Sequence, residues 1–134
     1  MIDTQYLQYF AAGIFYEMVD GVRKPCEVKD VLFSAAAATN NQSVIAAVTG
    51  KKIVVLHGTM RSANVQGTVS FKSASGGTNK KAYTIPVVTA ATPNVEILPV
   101  PWGAFRTNTG EGLFVDTTGA DPITISLTYI EVTP

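Results

Sequence analysis

The chain has 134 residues, nearly half of them apolar and only 15% charged, with a formal net charge of zero. That length suits one domain with a two-layer core, and the composition excludes long charged disorder. Its ten Lys and Arg are dispersed singly or in pairs, so no basic field exists to gather phosphates, and no direct nucleic-acid partner is expected. The mean hydropathy of +0.21 is high for a free monomer and suggests that partners cover part of the surface.

The first 24 residues differ from the rest. Tyr6, Tyr9, Phe10, Phe15 and Tyr16 put five aromatic rings within eleven residues, with Leu7 and Ile14 among them. A short helix from Gln5 to Ala12, ended by Gly13, accommodates this pattern, and so does an extended arm whose rings insert into a neighbouring subunit. The rings could equally cap the chain's own core; the arm is preferred because so many rings on a terminus need a place to be buried. Asp3 stands where a secretory leader would carry basic residues, and Gln5, Gln8 and Glu17 interrupt the apolar region, so no export signal is expected. No apolar run approaches membrane-spanning length, so no membrane partner is expected.

Asp20-Gly21 predicts a turn, Arg23-Lys24-Pro25 an elbow, and Val28 to Thr39 a strand carrying four consecutive alanines. The stretch from Ser43 to Ala63 organises the chain. Two β-prone runs flank the polar turn Thr49 to Lys52, and Ile53 to Leu56 is expected near the middle of a sheet. Gly67 to Ser73 alternates with period two, which buries Val69 and Phe71. Ser73 to Lys81 reads as a mobile loop. Ala82 to Thr89 reads as an edge strand because Pro86 cannot donate to a ladder. Short strands are expected at Val95 to Leu98, from Ala104 and at Leu113 to Asp116, with a rigid corner at Pro99 to Gly103 carrying Trp102. Ile123 to Val132 closes the chain, its alternation placing Ile123, Ile125, Leu127 and Tyr129 on one face. Ile53, Val55, Val69, Phe71, Ile125 and Leu127 are the expected core.

This grammar predicts an all-β fold, a jelly roll or related antiparallel β-sandwich of about eight strands with an N-terminal arm or short helix. Residues 1–26 form the arm and 27–134 the sandwich domain. No chemistry is legible. Cys26 is the only cysteine, which excludes an intrachain disulfide and any cysteine-built metal cluster. His57, the only histidine, has no nucleophile or acidic pair beside it in sequence. Gly50-Lys51-Lys52 lacks the upstream glycine and following hydroxyl of a phosphate loop. Glu111, Asp116 and Asp121 miss the spacing of a calcium loop. No catalytic residue, cofactor or metal is nominated, and an enzyme is not expected. Trp102 with Tyr83 or Tyr129 is the one candidate platform for stacking a sugar, against the plainer reading of Trp102 as a lid on the core.

Several pieces follow one another in an order that resembles small tailed-bacteriophage virion proteins. They are Ile45-Ala46-Ala47-Val48 with Gly50 to Leu56, then Val69-Ser70-Phe71-Lys72-Ser73, Leu98 to Gly103, Thr107 to Leu113 with Gly110-Glu111, and Thr128-Tyr129. The resemblance spans Val44 to Tyr129 and departs at Trp102-Gly103-Ala104-Phe105, where the corner is longer; the first 40 residues are outside it. It implies a capsid cement or decoration protein, assembled in the host cytoplasm, that sits on the capsid surface as a homotrimer and clamps neighbouring major capsid subunits. Tyr6, Tyr9, Phe10, Phe15 and Tyr16 are the expected anchors to capsid or neighbouring subunit. The rival readings are a tail or fibre module that binds host glycan through Trp102 and Tyr83, and a head–tail structural protein.

Overall fold

A computed structural model describes residues 15–62, 66–86, 94–99 and 103–134. The expected helix or arm over the first residues, with Tyr6, Tyr9 and Phe10, lies outside the described residues, as does Trp102.

The described chain is all antiparallel β. Its strands are β1 (Phe15–Val19), β2 (Val22–Cys26), β3 (Lys29–Ala35), β4 (Gln42–Ile45), β5 (Lys52–Ser62) and β6 (Gly67–Ser73). The remainder are β7 (Asn79–Ile85), β8 (Asn94–Ile97), β9 (Phe105–Arg106), β10 (Leu113–Thr117) and β11 (Ile123–Val132). Two sheets form a sandwich-like arrangement, ordered β3-β11-β5-β8 and β4-β10-β6-β7; the two-residue β9 adds to β5. The pairs are nested: β3 with β11, β4 with β10, β5 with β8, and β6 with β7. That is the pattern of one long hairpin, bent at residues 74–78 and rolled so that its two arms are shared between two sheets.

Alternation explains the core. In β6 residues Gly67, Val69, Phe71 and Ser73 are buried while those between are half-buried, and β11 buries Ile123, Ile125, Leu127 and Tyr129 on the same rule. These meet Val55, Met60, Leu113 and Val115 between the sheets, where the rings of Phe71 and Phe105 stack at 4.8 Å. All six residues expected in the core are there.

A bulge divides the central strand pair. Val55 faces Tyr129 and His57 faces Thr128, so Leu56 has no opposite residue. Beyond it, Val54, Leu56, Ile130 and Val132 bury a second apolar cluster against Cys26. Glu17 fastens the β1–β2 hairpin there: it accepts a hydrogen bond from the Thr133 amide and lies 3.6 Å from the Lys51 ammonium. The Asp20-Gly21 turn has φ of 50° and 75°, the left-handed pair that a tight two-residue hairpin requires.

Three expectations need correction. The runs flanking the Thr49 to Lys52 turn belong to different sheets. Val44 and Ile45 are both buried, as the chain leaves β4 to cross between layers. Of the four alanines only Ala35 is in a strand; the chain then turns, because Gln42 and Thr117 bind the Ala36 backbone in place of a neighbouring strand. The Ser73 to Lys81 loop is shorter than expected. Ser73 closes β6, Asn79 opens β7, and the amides of Ala74 and Gly76 are tied to the Gly112 carbonyl and the Asn41 side chain.

Candidate functional site

Three surface features bear on chemistry, the acids first. Asp116 Oδ1 accepts from the Asn41 amide at 2.7 Å, and Oδ2 from the Lys72 ammonium at 2.9 Å. Burial opposes ionisation of Asp116, yet these two donors outweigh it and hold the carboxyl below its usual range. Glu111 is likewise lowered, first by the Ser73 hydroxyl and then by the Asn108 amide. Both carboxylates therefore tie loops to strands. Among the described residues no three His, Cys, Asp or Glu come together in a group that could hold a metal ion. His57 is exposed on the outer face beside Thr128, at the bulge.

The second feature is a cavity of about 350 Å³ lined by Tyr83, Ile97, Leu98, Gly103 and Ala104 together with Lys81 and Glu96. It lies where β7 of one sheet approaches β8 of the other. Tyr83 packs edge-on to Phe71 at 6.1 Å, Lys81 Nζ lies 5.9 Å from its ring centre, and burial pushes its phenol pKa up. An aromatic ring, an apolar wall and one charge of each sign are brought to one concave place, which is how small-ligand sites are built. Of the residues expected to stack a sugar, Tyr83 lines this cavity and Trp102 lies outside the described residues.

The third feature is apolar exposure. Of the expected anchors, Phe15 stands opposite Cys26 in the hairpin, and Tyr16 opposite Pro25 with the Arg23 guanidinium 5.0 Å from its ring. The same hairpin exposes Met18 and Val22. On the body the most exposed large apolar side chain among the described residues is Leu32, at 75%. Strand β3 is an edge of its sheet, and Leu32 stands on the outer face in line with Ser126 and Thr59. The sequence hid this residue because Val31, Leu32 and Phe33 are all apolar, so alternation could not say which points outward. The useful signal was the polar pair on either side of it in phase, Asp30 and Ser34.

No helix among the described residues is long and apolar enough to cross a membrane. No protein-family model matches the chain, and no curated protein matches it. Among solved structures, the chain is similar to one described as Bacillus endospore appendages, a family of disulfide-linked pili. The identity is 15% and the TM-score 0.45, with 81% of this chain and 86% of that one covered. It is also similar to the virus-like particle of the giant freshwater prawn Macrobrachium rosenbergii extra small virus. There the identity is 14% and the TM-score 0.36, over 79% of each chain. At such scores neither likeness carries an argument about function, and the fold stands on its own strand order.

Proposed function

We propose that the chain is a structural subunit of a virus particle, an eight-stranded jelly roll that works by repeated contact with neighbouring shell components. The observation that carries this reading is the nested pairing of β3 with β11, β4 with β10, β5 with β8 and β6 with β7. A long hairpin rolled into two sheets is the jelly-roll plan, which recurs in capsid and lectin domains. The sequence resemblance to small tailed-phage virion proteins supplies the particle. Within it, the finer reading is a capsid cement protein. Its aromatic N-terminal residues, Tyr16 among them, would anchor it to major capsid protein or to a neighbouring copy. Low charge favours this work, since broad contacts then form without desolvating many ions, and weak contacts add up over a symmetric shell.

A second reading draws on the cavity. In a tail or fibre module, the Tyr83 ring and the Lys81–Glu96 pair would receive a host sugar. Cryo-electron microscopy of particles with and without the protein separates the two. Regular density on the capsid that vanishes with the protein supports cement. Density lost from the tail transfers the role there, and particles unchanged everywhere refute a virion role altogether.

A further inference from the structure

The four edges of the two sheets are not alike. Strand β4 has four residues and a register shift against β10; β8 also has only four. Strand β7 carries Lys80 and Lys81, meets β6 with a register shift and stops at Pro86. Short length, lysine, proline and irregular register are the devices that keep a sheet edge from pairing with another chain. Strand β3 has none of them beyond a lysine at its first position. Its seven residues run in unbroken register against β11, with Leu32 at 75% exposure midway. Among the described residues no strand pairs with its other side.

The geometry points to β3 as a self-pairing edge, meeting β3 of a second copy antiparallel about a twofold axis through Leu32. The sequence of the strand is complementary to itself in that register, the one that pairs all seven of its residues. Leu32 faces its own counterpart once on the axis, while Val31 faces Phe33, Asp30 faces Ser34 and Lys29 faces Ala35, each of these pairs made twice. No like charges oppose each other, and an aliphatic–aromatic pair flanks the axis on either side. Shifting the axis to Val31 sets Lys29 against Phe33 and Asp30 against Leu32. Shifting it to Asp30 or Lys29 sets like charges face to face. Phe33 and Val31, only half-buried in the single chain, gain a neighbour strand, and the β3-bearing sheets of the two copies become one continuous sheet. This contact rests on the proposal that the chain acts as a repeating subunit, and it names one surface by which copies join. A single seven-residue ladder is a small interface, so the pairing is weak in dilute solution and is reinforced where copies are held together.

Cysteine trapping tests the register directly. In a Cys26→Ser background, Leu32→Cys places two thiols opposite each other within disulfide reach and should yield a covalent dimer under mild oxidation. Asp30→Cys and Ser34→Cys should each stay monomeric alone and cross-link when mixed, because those positions face each other. All three sites are exposed, so the core is untouched; Cys26→Ala replaces Cys26→Ser if the serine unfolds the chain. With Cys26 retained, Leu32→Lys should weaken self-association by roughly tenfold in sedimentation, by setting two lysines together. A monomeric Leu32→Cys, or Ser34→Cys that cross-links alone as readily, overturns the proposal. These experiments use purified protein, so their failure is separate from failure to find the protein in a particle.

Discussion

Gly58 gives the sharpest test of the packing between the two longest strands. It faces Leu127 across the β5–β11 ladder. A methyl group at Gly58 would lie 2.3 Å from the Ser126 carbonyl oxygen, 2.8 Å from Leu127 Cδ2 and 3.2 Å from Leu127 Cα. Ordinary contact needs about an ångström more, and two of the three obstacles are backbone, which cannot rotate away. Without those contacts, Gly→Ala in a strand of ordinary φ would stabilise by about 0.4–1 kcal/mol through the unfolded chain. With them, Gly58→Ala should destabilise by about 3 kcal/mol, at the upper end for overpacking. In urea that moves the midpoint down by about 1.5–2 M at an ordinary slope. Adding Leu127→Ala removes only the side-chain obstacle, so the double variant should be about 1 kcal/mol more stable than the sum of the singles. Thr59→Ala, one residue along and outward-facing, should stay within about 0.5 kcal/mol of the parent. A Gly58→Ala midpoint at or above that of the parent would refute the close approach of β5 and β11.

Other substitutions probe other contacts. Phe71→Ala removes a fully buried ring that touches both Phe105 and Tyr83, and urea unfolding should show a loss of about 3–5 kcal/mol, with Phe71→Leu losing less than half of that. Glu17→Ala leaves the Thr133 amide without its acceptor, a cost of about 1–3 kcal/mol. It should speed thiol labelling of Cys26 as the hairpin lifts, with unfolding of the sandwich much less affected; unchanged labelling would contradict the fastening role. Asp116 has a lowered pKa in the folded chain, so on acidification the unfolded chain takes up its proton first. Its contribution is therefore present above the unfolded value of about 4 and is lost as pH falls through the lower folded one. The stability gap between parent and Asp116→Asn should be constant above about pH 5 and close below it; a gap that widens in acid would reverse the assigned sign.

Where alternation was strict the sequence was sufficient to read the fold. Thr68, Ser70 and Lys72 alternating with Val69 and Phe71 leave one possible inward face, and β11 was legible from Ile123 to Tyr129. It was less so across the bulge. Val54, Val55 and Leu56 are all apolar because both faces of the strand are buried there, and composition alone does not reveal a second cluster. The alanine run misled because alanine fits a strand, a helix or a turn, and the choice was made by Thr117, some eighty residues away. The cavity, too, joins Tyr83 of β7 to Ile97 of β8 and to Ala104 in the bend before β9. Long-range pairing of this kind leaves no local trace.

The nested order also dictates when this protein can fold during its synthesis. Strand β11 lies between β3 and β5, and β10 between β4 and β6, so each sheet receives a middle member last. Until residues 113–132 have been made, β3 and β4 have no partner strand, and β5 and β6 are paired on one side only. A ribosome-bound chain therefore displays Ile53 to Leu56 and Val69 to Phe71 without a cover, at the stage when aggregation competes best. Stopping translation before β10 would yield a chain with two sheets split down the middle, and not a shortened sandwich. A cell making many copies has reason to hold these nascent chains apart until their last strands emerge.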